Sequence, residues 1–286
     1  MKWLNAAATL LISGAVLLAN FGSGDELGRA SAAGIDPMPG SGVHIHPHGS
    51  LETEEEKGML ASWTWTEGTP SAERPAELVI RLKDRSGKPI DDLQTNHEKL
   101  MHLIAVSEDL EQFQHLHPEY EGEGVFRIAL SFPTGGKYKL YADFLPAGHR
   151  ELTRTAEVEV DGGAEETAAE LSPSHSLSES MNGVVITLSA GHLMAGMPST
   201  LTYTFRDKKS GHPVRDLEPY LGAVGHVIAV GEGAGPYLHV HSMNEKTAGP
   251  QAVFSATFPK SGMYKIWGQF QRGGELMTVP FVLRIP

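Results

Sequence analysis

Residues 126–141 read FRIALSFPTGGKYKLY, and this stretch decides the fold. Phe126, Ile128, Leu130 and Phe132 alternate with polar or small residues, the period of a strand that buries one face. Pro133-Thr134-Gly135-Gly136 then marks a turn, after which a second apolar segment begins. Residues 254–267, FSATFPKSGMYKIW, repeat the arrangement: Phe254, Ala256 and Phe258 alternate, and Phe258-Pro259 leads through Gly262 to Tyr264. Upstream, residues 76–82 (AELVIRL) and 201–205 (LTYTF) alternate in the same way. Each runs into a Gly-x-Pro turn, Gly87-Lys88-Pro89 in one case and Gly211-His212-Pro213 in the other. The chain therefore carries one unit twice, at residues 57–162 and 179–286.

Short strands separated by Gly/Pro turns, with little helical periodicity, define an all-β protein of two tandem antiparallel β-sandwiches. The Gly-x-Tyr steps at Tyr138 and Tyr264 are similar to the tyrosine corner of immunoglobulin-like domains. That resemblance implies an immunoglobulin-like sandwich in which each phenol caps a backbone group, so neither tyrosine is assigned chemistry.

The N-terminus has the pattern of an export signal over residues 1–32. Lys2 precedes the mostly apolar run Trp3 to Phe21, and Ala30-Ser31-Ala32 offers a small-residue cleavage site, with Leu17-Leu18-Ala19 as a second candidate. The run also approaches membrane-spanning length, so a retained anchor is the alternative; after cleavage no membrane span is expected. Residues 33–56 form a Gly/Pro/His-containing tail ending in an acidic run, and its composition predicts disorder. Residues 163–178 read as a linker. The chain has no cysteine, which removes disulfides, thiolate metal sites and cysteine nucleophiles. A formal charge of −12 argues against nucleic acid as a partner. The expected location is extracytoplasmic, secreted or in the cell envelope.

Chemistry concentrates in histidine. HLIAVSEDLEQFQHLHP holds His102, His115 and His117; HVIAVGEGAGPYLHVHS holds His226, His239 and His241, each displaced by 124 residues from its counterpart. A hairpin centred between Asp109 and Leu110 places residue 104 opposite residue 115, so His102, Ile104, His115 and His117 share a face. Three neutral imidazoles suit copper or zinc and leave a coordination position open. The competing reading makes them core histidines bonded to carbonyls and carried along by duplication.

Two further groups are candidate ligands. His192, Met194 and Met197 lie in a loop of the second copy whose first-copy counterparts lack such residues. Thioethers beside imidazole favour Cu(I), although methionine also serves as gap filler. His44, His46 and His48 alternate in the tail and suit weak, unselective metal capture. No nucleophile elbow, phosphate loop or dinucleotide fingerprint occurs, so no enzyme activity and no catalytic residue are assigned.

Three strings, residues 218–226 (EPYLGAVGH), 239–241 (HVH) and 258–271 (FPKSGMYKIWGQFQ), resemble the YtkA-like immunoglobulin-type modules of bacterial exported proteins. The resemblance implies a secreted or envelope-attached β-sandwich associated with copper or heavy-metal handling. A looser similarity, in architecture and His/Met usage, is to periplasmic copper-resistance carriers, whose N-terminal ligand histidine this chain lacks. The sequence thus predicts an exported protein that binds, sequesters or passes a transition metal. Metal ions, and an envelope protein, are its expected partners. The alternative is a metal-free envelope interaction or spacer module, and a metal-dependent enzyme comes third.

Overall fold

The computed structural model describes residues 52–163 and 170–286. The signal segment, the tail histidines His44, His46 and His48, and residues 164–169 lie outside the described residues. The first module contains β1 (Leu60–Trp65), β2 (Pro75–Lys83), β3 (Leu93–Gln94), β4 (Met101–Ser107), β5 (Phe113–Leu116), β6 (Glu119–Gly122), β7 (Val125–Ser131), β8 (Gly136–Pro146) and β9 (Leu152–Val160). The second contains β10 (Ser178–Met181), β11 (Val184–Gly191), β12 (Pro198–Asp207), β13 (His226–Gly231), β14 (Tyr237–Val240), β15 (Gln251–Thr257), β16 (Gly262–Arg272) and β17 (Glu275–Ile285).

Each module is a sandwich of two antiparallel sheets. In the first, β1-β2-β7-β6 faces a sheet in which β8 pairs with β4, β9 and β3, and β4 pairs with β5. In the second, β10-β11-β12-β15 faces β14-β13-β16-β17. Alternation places Leu78, Ile80, Leu82, Phe126 and Phe132 in one core, and Leu201, Tyr203, Phe205, Phe254 and Phe258 in the other. The tyrosine corners form as the sequence implies. Tyr138 donates to the Thr134 carbonyl at 3.0 Å and Tyr264 to the Lys260 carbonyl at 2.9 Å.

Two segments differ from their compositional reading. The end of the segment assigned to the tail, the acidic run Glu52–Glu56, is folded. Thr53 and Glu56 exchange side chain-to-backbone hydrogen bonds around a short 3-10 turn, Glu56 pairs with Arg150, and Arg154 reaches Glu52. Those arginines supply the partners that make ordering favourable. In the linker, Leu171 packs into apolar surface and Ser174 hydrogen-bonds with Val282.

The decisive feature is burial on both faces of β4 and β13, where every residue is buried. Met101, Leu103 and Ala105 point into the first core, and Val227 and Ala229 into the second. The opposite faces, Ile104 and Val106 with Ile228 and Val230, meet each other in a third cluster between the modules, inside a single compact unit. This is why these strands read as near-continuous apolar runs rather than clean alternation. Two stacked aromatic pairs, each with one ring per module, flank this contact: Phe113 on Trp267 at 4.6 Å and Tyr141 on Tyr237 at 4.4 Å. Lys265 reaches across to Glu111 at 2.8 Å, and Tyr141 donates to the Ala234 carbonyl at 2.7 Å.

Candidate metal centre between the modules

The hairpin register is that expected from sequence. Ile104 pairs with His115 across β4–β5, and Ile228 with His239 across β13–β14. Side chains two residues apart share a face, so the histidines emerge on the same side as Ile104, Val106, Ile228 and Val230. That side is the module–module contact. The two sets therefore form one cluster rather than two separate sites: the His102 ring lies 5.1 Å from that of His239 and 5.9 Å from that of His226.

His102 Nδ1 lies 2.9 Å from His115 Nε2, and His117 completes a group whose ligand atoms all fall within 4.8 Å of one another. The second copy does not repeat this triad. His226 Nδ1 is 3.2 Å from His239 Nε2, but His241 turns its Nδ1 to His97 Nε2 at 2.7 Å and its Nε2 to Glu151 Oε2 at 3.3 Å.

The outer nitrogens are held by a crossed set of partners. His102 Nε2–H donates to the Asn96 carbonyl at 2.9 Å, and His115 Nδ1–H donates to Gln269 Oε1, in the other module, at 2.6 Å. The Gln269 amide nitrogen donates to Thr278 Oγ1 at 3.2 Å. The mirror contact runs from His239 Nδ1 to Asp143 Oδ2 of the first module at 3.2 Å. Asp143 and Gln269 occupy matching positions on β8 and β16, Asp143 opposite His102 and Gln269 opposite His226. Each middle histidine is thus oriented by the other module, by a carboxamide at one end of the cluster and a carboxyl group at the other.

The Asn96 carbonyl requires a proton on His102 Nε2, and Gln269 Oε1 accepts from His115 Nδ1 in the orientation described. In that arrangement the facing nitrogens 2.9 Å apart both present lone pairs, an opposition that a cation between or beside them relieves. Two nitrogen ligands at 90–109° around an ion, with bonds of about 2.0–2.1 Å, sit roughly 2.9–3.4 Å apart. Both His102–His115 and His226–His239 fall in that range. His117 Nε2 and His226 Nε2 are buried without hydrogen-bond partners.

Burial keeps most of these rings neutral. Desolvation, with the neighbouring His115, holds His102 at about 4. Desolvation and His241 hold His97 at about 4, and desolvation and His102 do the same for His117. Desolvation takes His115 to about 3 despite its Gln269 bond. His226 and His239 are pushed well below the usual value, chiefly by burial. His241 is the exception. Burial acts downward there too, but the Glu151 hydrogen bond and the Glu151 and Asp143 charges outweigh it. Burial, then repulsion from Glu151, raises the Asp143 carboxyl to about 7.

A stability profile follows. Histidines depressed to about 4 bind fewer protons folded than unfolded, so their contribution is present above about pH 6.5 and is lost as pH falls towards 4. Asp143 and His241 oppose this, because their raised pKa values favour the folded state as pH falls. The six histidines with lowered values, His97, His102, His115, His117, His226 and His239, outnumber these two. Thermal melts of metal-free protein should show a melting temperature that declines from pH 7 to 4.5; a flat or rising profile would contradict the burial of neutral rings.

Sequence reasoning did not find His97, Asp143, Glu151 or Gln269. His97 sits in a tight turn closed by Asn96 and Lys99, with left-handed backbone at His97 (φ 47°) and Glu98 (φ 64°). The second module has the same turn, closed by Tyr220 and Ala223, with Leu221 at the matching place. Repetition therefore could not flag His97. The remaining candidates lie elsewhere: Met194 and Met197 are 56% and 55% exposed, and His192 is exposed. Their loop is anchored to Phe258 and Pro286, near the start of β16. Gln269 lies seven residues beyond Gly262 on that strand, roughly 20–25 Å along at the usual strand rise. The methionine loop is therefore not part of the histidine cluster.

Replacing Gln269 by Leu removes the acceptor that orients His115 while keeping similar volume. For an imidazole that ligates a metal, loss of such a partner typically weakens affinity about 10–100-fold; a metal held at this cluster should show that loss in competition titration against a chelator, with the fold retained.

The fold and this cluster define a tandem β-sandwich protein with a histidine-rich seam between its modules. The chain belongs to the family described as Domain of unknown function (DUF8832), whose profile matches twice, over residues 55–162 and 179–286. No curated protein matches the chain. Among solved structures it is similar to FdeC, an Escherichia coli adhesin, at 16% identity and TM-score 0.27, covering 83% of this chain and 66% of that one. It is also similar to invasin, a bacterial integrin-binding protein, at 16% identity and TM-score 0.23, covering 78% of this chain and 39% of that one. A two-domain fibronectin type III segment from chicken tenascin gives 12% identity and TM-score 0.24, over 78% of this chain and 97% of that one. Nothing about function follows from likenesses of that size. Among the described residues no helix is long and apolar enough to cross a membrane.

Proposed function

We propose that this protein binds a transition-metal ion, Cu(II) or Zn(II), among the imidazoles between its two modules and acts outside the cytoplasm in sequestering or passing that ion. The observation that carries the reading is the His102–His115 pair: the outer nitrogens face the Asn96 carbonyl and the Gln269 carboxamide oxygen, and the inner nitrogens face each other at 2.9 Å. A cation relieves that opposition. Neutral imidazoles at pH 7 are ready ligands, and the third nitrogen comes from His117, whose Nε2 is otherwise unpartnered. The resemblance of residues 218–271 to YtkA-like modules, and the export signal read from the N-terminus, agree with metal handling in the cell envelope.

The test is equilibrium dialysis of the purified protein against Cu(II) or Zn(II) at pH 7, with bound metal counted by elemental analysis. At least one ion per chain should be retained at micromolar free metal; retention of none would end the reading. A Met194→Leu/Met197→Leu variant should keep that ion, because its loop lies at the other end of the module.

A further inference from the structure

The seam makes no use of His192, Met194 or Met197, and the fold does not present them as packing residues. They lie between β11 and β12, where Met197 N–H donates to the Met194 carbonyl at 3.2 Å across a tight turn. Gly196 takes left-handed backbone in that turn, with φ 76°. The turn is pinned to residues just after β17 and β15. Ala195 N–H donates to the Pro286 carbonyl at 3.1 Å, and Gly196 N–H to the Phe258 carbonyl at 2.7 Å. On its flank the buried Ser199 hydroxyl donates to the His192 carbonyl at 3.0 Å. Leu193 and Ala195 pack against the core of the second module, whereas His192, Met194 and Met197 are exposed.

The first module makes the same turn from different residues. Ala72 N–H donates to the Asp161 carbonyl and Glu73 N–H to the Phe132 carbonyl, each at 2.8 Å, and Arg74 N–H donates to the Ser71 carbonyl at 3.3 Å. Glu73 has left-handed backbone at the place of Gly196, with φ 59°. Ala72 packs on the first core as Ala195 does on the second. Where the second module has Met194 and Met197 at the ends of the turn, the first has Ser71 and Arg74, and Thr69 stands at the place of His192. The fold therefore requires neither methionine. Filling gaps between packed elements is the ordinary use of methionine, and side chains at 56% and 55% exposure fill none.

What the turn supplies is placement of donors. The ends of a tight turn lie within about 7 Å, Cα to Cα, and His192 is two residues before the first of them. Two flexible thioethers across such a gap can meet on one ion, with the His192 imidazole as a third donor. Neutral thioether sulfur is a soft ligand that selects Cu(I) over harder divalent ions. We infer that His192, Met194 and Met197 form a surface site for a soft monovalent cation, Cu(I), separate from the seam. The inference stands on this turn alone and does not depend on a metal in the seam.

Ag(I) is the probe, a soft ion of the same charge that keeps its oxidation state in air. The purified protein carries carbon-13 in its methionine methyl groups, and Met194→Leu and Met197→Leu assign the two signals. At pH 7 in chloride-free buffer, micromolar Ag(I) should shift both signals together, in the wild type and in His102→Ala/His115→Ala alike. Zn(II) should move neither. His192→Ala should raise the Ag(I) concentration needed for half the shift, and an unchanged half-point would overturn the three-donor set. Signals that stay in place, that move only at millimolar Ag(I), or that respond equally to Zn(II) would overturn the site. Intact shifts in a protein that retains no Cu(II) or Zn(II) on dialysis would end the proposed function and support this site.

Discussion

A His102→Ala/His115→Ala variant is expected to fold yet lose most of the thermal stability gained from added metal, which in the wild type is about 10 °C. The expectation rests on mass action. A ligand that binds only the folded state at about 1,000 times its Kd contributes roughly 4 kcal/mol, and each kcal/mol moves the melting temperature of a chain this size by about 2–4 °C. Both rings leave together in this variant, so neither remains with an unmatched nitrogen towards the other. Asn96 and Gln269 lose their donors, which costs about 1–3 kcal/mol for each buried group left unsatisfied. That cost lowers the metal-free melting point but does not mimic loss of the metal response. Differential scanning calorimetry with and without Zn(II) or Cu(II) separates the two effects. A variant that keeps the full metal-induced shift would move the site away from this pair.

Gly225→Ala is expected to be the most damaging single substitution tied to the site. Gly225 immediately precedes His226, and a Cβ built there meets the Gln269 carbonyl oxygen at 2.4 Å and the Phe270 ring at 2.5 Å. Neither can yield cheaply. Gln269 is paired in register with His226, and Phe270 is fully buried in the core of the second module. Overpacking of this kind costs about 3 kcal/mol or more where backbone must shift, and the shift here separates β13 from β16 at the histidines. Both the melting temperature and the metal affinity should fall. Gly191→Ala is the control, since nothing lies within 4 Å of its added Cβ. Equal behaviour of the two variants would mean that the close approach at Gly225 does not position His226.

Local physics was legible in the sequence, and relations between modules were not. Period-two alternation at residues 126–132 and 254–258 placed those strands, and the two tyrosine corners close as their spacing implied. The pairing of residue 104 with 115 followed from the symmetry of His102 and His117 about the hairpin. That symmetry says which face carries the rings but not what the face meets. The near-continuous apolar character of residues 103–106 and 227–230 was the available signal, because a strand buried on both faces needs a second partner. His97 was invisible for a different reason. Its role depends on a left-handed turn and on the neighbouring module, and Leu221 holds its place in the other copy. Asp143 and Gln269 put a carboxyl group and a carboxamide at matching positions, which comparison of the copies can reveal but which acquires meaning only once each is seen bonded to the other module's histidine. The acidic run before Lys57 looked like tail because composition does not disclose that Arg150 and Arg154 arrive from β9 and its approach.

A crystal of the metal-loaded protein, with diffraction data collected on both sides of the metal absorption edge, puts the account to its most direct trial. It predicts an anomalous peak in the seam between β4–β5 and β13–β14, about 2.0–2.2 Å from His102 Nδ1 and His115 Nε2. A peak confined to His192, Met194 and Met197 or to the histidines of the N-terminal segment, with the seam empty, would contradict it.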